Sequence, residues 1–283
     1  MGDVSKDAKE KGAKKASFAA KKKKEPRKIE YRDELNDEFS DAKIKPKRID
    51  EKYEYLPKSV FRRCFFSVLY RLAAKPIAFL FLKCKFGWRV RNKKVLKKEK
   101  GAYFLYGNHT SVAADPLIPA MLAGKKHAYV VVHAANVSIP VVGNLIAALG
   151  ALPLPDDKAA AKNFLAALKY RVGEREAICI YPEAHIWPYY TKIRSFVDTS
   201  FRYPVNFGVP TYTFTNTYQK RKFFKKPRIV TYVDGPFYPD LALPAKIARG
   251  VLRDEAYGAM EKRSALSDCE YIRYVKAEEE TQK

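Results

Sequence analysis

From about residue 100 onward, short apolar runs of strand length alternate with stretches of helical periodicity, and this alternation limits the possible folds more than any other feature. The strand-like runs are 102–106, 128–133, 150–154, 177–181, 211–217 and 228–233. Residues 116–123, 141–148, 157–172 and about 198–207 read as helices between them, with a final helix over 244–265. Strands separated by helices are joined through crossovers, so the expected class is α/β: a single domain with a mostly parallel, helix-flanked mixed sheet. In such sheets the chemistry sits on loops beyond the carboxyl ends of the strands.

Two loops occupy such places. The first, Tyr106-Gly-Asn-His-Thr-Ser-Val-Ala-Ala-Asp115, carries one of only four histidines and a carboxylate six residues later. A carboxylate beside a histidine fixes its tautomer and stabilises the imidazolium formed when the ring accepts a proton. His109 and Asp115 are therefore candidate catalytic residues, with Asn108 beside them as a candidate for substrate binding. A structural reading competes: Asp115 before Pro116 suits a helix N-cap. Residues six apart on a regular helix point roughly 120° from each other, so the pair meets only across a loop or a distorted first turn. The second loop, Tyr181-Pro-Glu-Ala-His-Ile-Trp-Pro-Tyr-Tyr190, follows the run 177–181. It offers Glu183 and His185, with Lys192 and Arg194 close behind, as residues to hold a polyol or phosphate; a surface ion pair is the plainer alternative. Packing under this loop is the expected role of Trp187, Tyr189 and Tyr190.

Charge points to a partner. The net charge is +24, and residues 61–100 contribute 13 Lys and Arg against the single acid Glu99. A balance of this kind suits nucleic acid or an anionic membrane. Aromatic interleaving favours the membrane: Phe61, Phe65, Val68, Leu69 and Leu72 follow helical spacing, and 77–82 and Trp88 are apolar too. Arg62, Arg63, Phe65, Phe66, Leu69, Phe79, Phe81 and Trp88 are the candidate membrane-binding residues of an interfacial anchor. Arg71 and Lys75 interrupt the run, so no stretch is expected to reach the roughly 20 apolar residues that span a bilayer. The basic, aromatic run 219–226 offers a second membrane contact or a solvated hairpin connection. No nucleic-acid-binding signature accompanies the charge.

The loops together resemble the glycerolipid acyltransferase family, typified by bacterial 1-acylglycerol-3-phosphate acyltransferases. Asn108-His109…Asp115 stands where that family has Asn-His and an Asp. Tyr181-Pro182-Glu183-Ala184 stands for its Phe-Pro-Glu-Gly, and Val209-Pro210 for its Val-Pro strand start. The likeness covers about residues 60–240. It implies transfer of an acyl group from acyl-CoA or acyl-carrier protein to the hydroxyl of a lysophospholipid, with no cofactor, no metal and no acyl-enzyme. His109 would be the general base, Asp115 its orienting partner, and Glu183 would orient the acceptor. Two departures stand out. Five residues separate His109 from Asp115 where the family has four, so the loop must bulge. Ala184-His185-Ile186 replaces the family's Gly-Thr-Arg, so Lys158, Lys192, Arg194 or His185 would have to supply the phosphate-binding cation. These departures leave a second possibility open, a weak or inactive lipid- or acyl-CoA-binding protein of the same fold.

The expected organisation is a disordered charged tail over 1–55, a basic membrane-interface segment over 56–95, the acyltransferase domain over 96–265 and a C-terminal tail over 266–283. The first twenty-five residues lack the apolar core of a secretory signal. Cys64, Cys84, Cys179 and Cys269 form no CxxC or metal-ligand spacing and read as reduced thiols. Both point to the cytoplasmic side of a membrane, peripheral or monotopic, with membrane phospholipids as partners. His127 reads as a surface residue and His133 as a satisfied edge histidine.

Overall fold

A computed structural model describes residues 26–39, 44–140 and 142–277. Seven strands form the main sheet: β2 (Arg89–Arg91), β3 (Tyr103–Gly107), β4 (Ala128–Val132), β5 (Ala151–Pro153), β6 (Ala177–Ile180), β7 (Thr211–Arg221) and β8 (Phe224–Phe237). Their spatial order is β2-β8-β7-β3-β6-β4-β5. β7, β3, β6, β4 and β5 run parallel, and β8 turns back antiparallel to β7 with β2 parallel to β8 on its outer side. The expected α/β class with a mostly parallel mixed sheet is borne out.

Central strands explain the apolar runs. Every residue of β3 and β6 is buried, because helices cover both sheet faces and leave neither for water. Strand side chains alternate between faces. Phe104 and Tyr106 enter one core with Phe164, Leu168, Phe201, Leu252 and Met260. Tyr103 and Leu105 enter the other with Leu82, Phe86, Leu122 and Phe214. The first core lies under α6 (Lys158–Gly173) and α8 (Ala245–Ser264), the second under α2 (Lys75–Phe86) and α4 (Ile118–Leu122). The Asp157 carboxylate accepts from Ala160 N at 2.8 Å and starts α6. The remaining helices are α3 (Lys94–Lys98), α5 (Val142–Ala148) and α7 (Arg202–Phe207). The expected start of α5 at residue 141 lies outside the described residues.

Three expectations are corrected. Part of the N-terminal tail is ordered: β1 (Arg27–Tyr31) pairs in parallel with β9 (Ile272–Lys276), so the C-terminal tail also holds a strand. Ile49 and Tyr55 are buried, with Tyr55 Oη donating to Pro153 O at 2.9 Å. Residues 1–25, 40–43 and the acidic 278–280 lie outside the described residues. The second correction concerns length. α1 (Val60–Leu69) and α2 are joined by a π-helical turn, Tyr70–Ala74, that carries the helix through both Arg71 and Lys75. The continuous run Val60–Phe86 is 27 residues long and, by length and composition, apolar enough to cross a membrane. The third is His127, which is buried rather than at the surface. It stacks between Tyr70 and Tyr129, with Nε2 donating to Leu149 O at 2.9 Å. Burial holds its pKa down at about 4. His133 is exposed and its Nδ1 accepts from Ala135 N.

Candidate active site

β3 ends on Gly107, where the ring of Phe214 lies so close that a Cβ would fall 2.1 Å from its Cζ. Only glycine lets the chain pass under that ring. Asn108 follows and is fully engaged by β7: its Nδ2 donates to Asn216 O at 3.0 Å and its Oδ1 accepts from Asn216 N at 2.7 Å. Asn108 is thus a buried clamp between loop and strand, not the substrate contact expected of it. The clamp fixes where the next residue begins.

His109 and Asp115 meet. Nδ1 of His109 lies 2.9 Å from Asp115 Oδ2, with the histidine side chain 17% exposed and the aspartate side chain wholly buried. The same Oδ2 accepts from Thr110 N and Ser111 N, each at 2.8 Å. Asp115 N in turn donates to Ser111 O at 3.0 Å. The intervening residues curl around the carboxylate, which is how the expected bulge takes up the extra residue. Helix α4 begins only at Ile118 and its cap residue, Leu117, makes no side-chain cap bond. The N-cap reading of Asp115 therefore fails. An aspartate Oδ2 facing Nδ1 makes that nitrogen the proton carrier. Nε2 of a partly exposed ring is then the atom left for a substrate.

A polar chain supports the other carboxylate oxygen. Asn216 Nδ2 donates to Asp115 Oδ1 at 3.2 Å, and its Oδ1 accepts from Thr231 Oγ1 at 2.7 Å. Trp88 Nε1 donates to that hydroxyl at 2.8 Å. Trp88 is only 3% exposed, so its place among the membrane-binding residues is corrected: the indole anchors the relay behind Asp115. Tyr181 completes the cradle. Its ring stacks on His109, with centroids 4.4 Å apart, and its hydroxyl donates to Asp115 O at 2.6 Å. Tyr218 Oη donates to Thr110. Sequence reading missed Asn216, Thr231 and Tyr218. The available signal was a polar amide amid the threonines of a run otherwise read as core strand.

The second loop is zipped onto the first. Trp187 N donates to His109 O at 3.1 Å and Tyr189 N to Thr110 O at 2.9 Å. Glu183 Oε2 accepts from His109 N at 3.2 Å, while Arg194 donates from its backbone N to Oε1 at 3.3 Å and from Nη2 to Oε2 at 3.2 Å. The side chains of Glu183 and Arg194 are 0% and 1% exposed. Burial pushes the Glu183 carboxyl up and the Arg194 guanidinium opposes it. Glu183 holds the backbone of the histidine loop instead of reaching an acceptor, and Arg194, committed to Glu183 and the His185 carbonyl, is no free phosphate ligand. His185 is half-buried, with its Nδ1 3.2 Å from Glu38 Oε2. Lys192 is exposed, with no contact to His109, Asp115 or Glu183 among the described residues. Ala184 takes φ +63°, a left-handed conformation that favours the glycine usual in the resembled motif. Trp187 is buried, donating to Asp37 O at 2.8 Å, so the packing role expected for it holds.

On the long helix the apolar stripe faces outward. Phe61, Phe65, Val68 and Leu72 are exposed, as are Ile77, Phe79, Leu80 and Phe81. Phe66 and Leu69 are half-buried. Arg62 pairs with Glu54 at 3.6 Å, and Arg63 turns inward to donate to Tyr170 Oη at 3.0 Å. A cavity of about 530 Å³ opens beside this helix, lined by Arg62, Arg63, Phe66, Tyr129 and Arg171 among others. It does not include His109, Asp115 or Glu183.

Residues 87–216 match the family model described as Acyltransferase. Over these residues the chain is similar to acyltransferases. The matched span contains both loops and ends on Asn216, and it supports the acyltransferase resemblance read in the sequence. None of the curated proteins matches the chain. Among solved structures, the 1-acyl-sn-glycerophosphate (LPA) acyltransferase PlsC from Thermotoga maritima is 16% identical, covering 74% of this chain and 96% of its own, with a TM-score of 0.48.

Proposed function

We propose that this protein is an acyltransferase that moves a fatty acyl group from acyl-CoA or acyl-carrier protein to the hydroxyl of a lysophospholipid such as 1-acylglycerol-3-phosphate, at the cytoplasmic face of a membrane. The observation that carries the reading is the 2.9 Å contact of His109 Nδ1 with buried Asp115, on a ring that stays partly exposed.

Each step has an atom to perform it. Nε2 of His109 takes the proton of the acceptor hydroxyl as its oxygen attacks the thioester carbonyl. The imidazolium so formed is stabilised by the Asp115 carboxylate. Collapse of the tetrahedral intermediate expels the thiolate, which recovers the proton from Nε2, so the ring ends as it began. General-base assistance of this kind contributes about 10²–10⁴-fold. Glu183 and Asn108 act as positioning residues, holding the backbone on either side of His109. The outward stripe of Phe61, Phe65, Val68 and Leu72, with its flanking arginines, suits a lipid interface and supports membrane association.

The test is thioester release by His109→Ala with a panel of lysophospholipid acceptors and both donor types, products identified by mass. Turnover should fall by at least a hundredfold with every acceptor. Turnover equal to that of the parent protein removes the proposed base. The same panel separates acceptors with a free phosphate from those with a substituted one. That comparison bears directly on the acceptor, since Arg194 is committed to Glu183 and the His185 carbonyl.

A further inference from the structure

The β7–β8 hairpin continues well past the sheet. Phe214 of β7 is level with Gly107, the last residue of β3, and the strand runs on to Arg221. Seven further residues at about 3.3 Å each carry it roughly 20 Å beyond the rim on which His109 stands. The shaft is braced. On one side Asp268 N and Cys269 N donate to Tyr218 O, and Lys220 N donates to the Asp268 carboxylate. On the other, Arg221 Nη1 donates to Lys85 O at the last turn of α2. At the tip Phe223 is 84% and Phe224 60% exposed, with the Arg221 guanidinium 3.9 Å from the Phe224 ring centroid.

Composition specifies the partner. Lys220, Arg221, Lys222, Lys225 and Lys226 surround the two phenylalanines, and no acid lies between Tyr218 and Arg228. Exposed aromatics ringed by cations match a bilayer surface bearing anionic headgroups, where rings enter the acyl boundary and ammonium groups stay at the phosphates. Arg221 ties this tip to the end of the helix whose apolar stripe faces outward, so both can meet one surface. We propose that the tip, Lys222–Lys226, is a second membrane foot that, together with the long helix, tilts the His109 rim toward anionic lipid. This rests on the membrane reading of the proposed function but not on the identity of the base.

The test places one tryptophan at the tip of the full chain, Phe223→Trp. Trp88 and Trp187 are both buried, so they give a constant background. Vesicles of phosphatidylcholine with phosphatidylglycerol should blue-shift the introduced indole, and bromine-labelled acyl chains should quench it; phosphatidylcholine alone should do so weakly. In a second variant, Phe223→Ser with Phe224→Ser, acylation of a vesicle-embedded acceptor should fall about tenfold, with turnover of a dispersed short-chain acceptor unchanged. Protein that sediments with vesicles while the indole spectrum stays unchanged overturns the foot alone. Protein that never sediments overturns the membrane reading and the foot together. A shift that needs no vesicles and follows protein concentration, or one that follows added RNA, assigns the tip to another partner and also overturns the proposal.

Discussion

Replacing Asp115 by asparagine tests the relay behind the proposed base with little change of shape. The carboxylate receives four N–H groups: His109 Nδ1, Thr110 N and Ser111 N on Oδ2, and Asn216 Nδ2 on Oδ1. An amide oxygen can keep the three donors at Oδ2 only by turning its own NH2 toward Asn216 Nδ2, donor against donor. If Asn216 flips in response, Thr231 Oγ1 must accept from both Asn216 and Trp88, and its proton loses the acceptor it has now. The larger loss is the charge. With charge centres about 4 Å apart and an effective dielectric near 20, an imidazolium and a carboxylate attract by about 4 kcal/mol. At 1.4 kcal/mol per tenfold, that corresponds to about 10³ in kcat, inside the range expected for general-base assistance. Asp115→Asn should therefore lower kcat between a hundredfold and ten-thousandfold with KM nearly constant, measured by thioester release at saturating donor and acceptor. A kcat within threefold of the parent would refute the assignment of Asp115 as the partner that stabilises the charged base.

Three further outcomes are expected. Glu183→Ala strands the buried Arg194 guanidinium and should cost about 3–5 kcal/mol of stability, whereas Glu183→Gln combined with Arg194→Met should cost less; equal urea midpoints for the two would dismiss the ion pair as the cause. Ala184→Gly relieves left-handed backbone strain of about 1–2 kcal/mol against about 0.4–1 kcal/mol for the freer unfolded chain, so the urea midpoint should rise slightly, and a fall would contradict the strain. His127 has its folded pKa depressed to about 4 by burial, against about 6.5 unfolded. Its contribution is fully present above pH 6.5 and is lost as the pH falls toward 4, amounting to about 3 kcal/mol; His127→Phe should remove that part of the acid sensitivity, and parallel stability–pH curves for the two proteins would count against it.

The sheet was legible because β3 and β6 are buried on both faces and so appear as unbroken apolar runs, punctuated by Gly107 and Pro182. The strands that escaped notice are short or polar. β1 is Arg-Lys-Ile-Glu-Tyr, with no apolar run, and takes its partner β9 from the far end of the chain. No local signal announces a pairing of that range. The length of the long helix was not legible because Arg71 and Lys75 count against an apolar run, while the backbone carries Arg71 through a π turn and continues as α-helix from Lys75. Of the candidate site, the pairing of His109 with Asp115 could be read as a possibility, and its resolution needed the turn geometry that puts three N–H groups on one oxygen. The roles of Glu183 and Arg194 could not be read. Two oppositely charged residues eleven apart on a loop look the same in sequence whether they face a ligand or each other.

Asp115 and Glu183, the two buried carboxylates among the described residues, have different surroundings, and the roles proposed for them follow from what each touches. Glu183 meets a full positive charge in Arg194 and reaches His109 only through the backbone N–H, so its own charge is largely spent before it reaches the ring. Asp115 has no lysine or arginine partner in its contacts; only N–H dipoles and one imidazole face it. An anion held by dipoles keeps its field for whatever positive charge forms next to it. In the proposed acyl transfer, the group in contact with it that would form one is the His109 ring. The same reasoning explains why the phosphate-binding cation cannot simply be moved to Arg194. Withdrawing the guanidinium from Glu183 would leave an unpaired carboxylate beside the base and loosen the N–H that fixes its backbone, so this loop can offer Arg194 to a substrate only by dismantling the support of its own histidine.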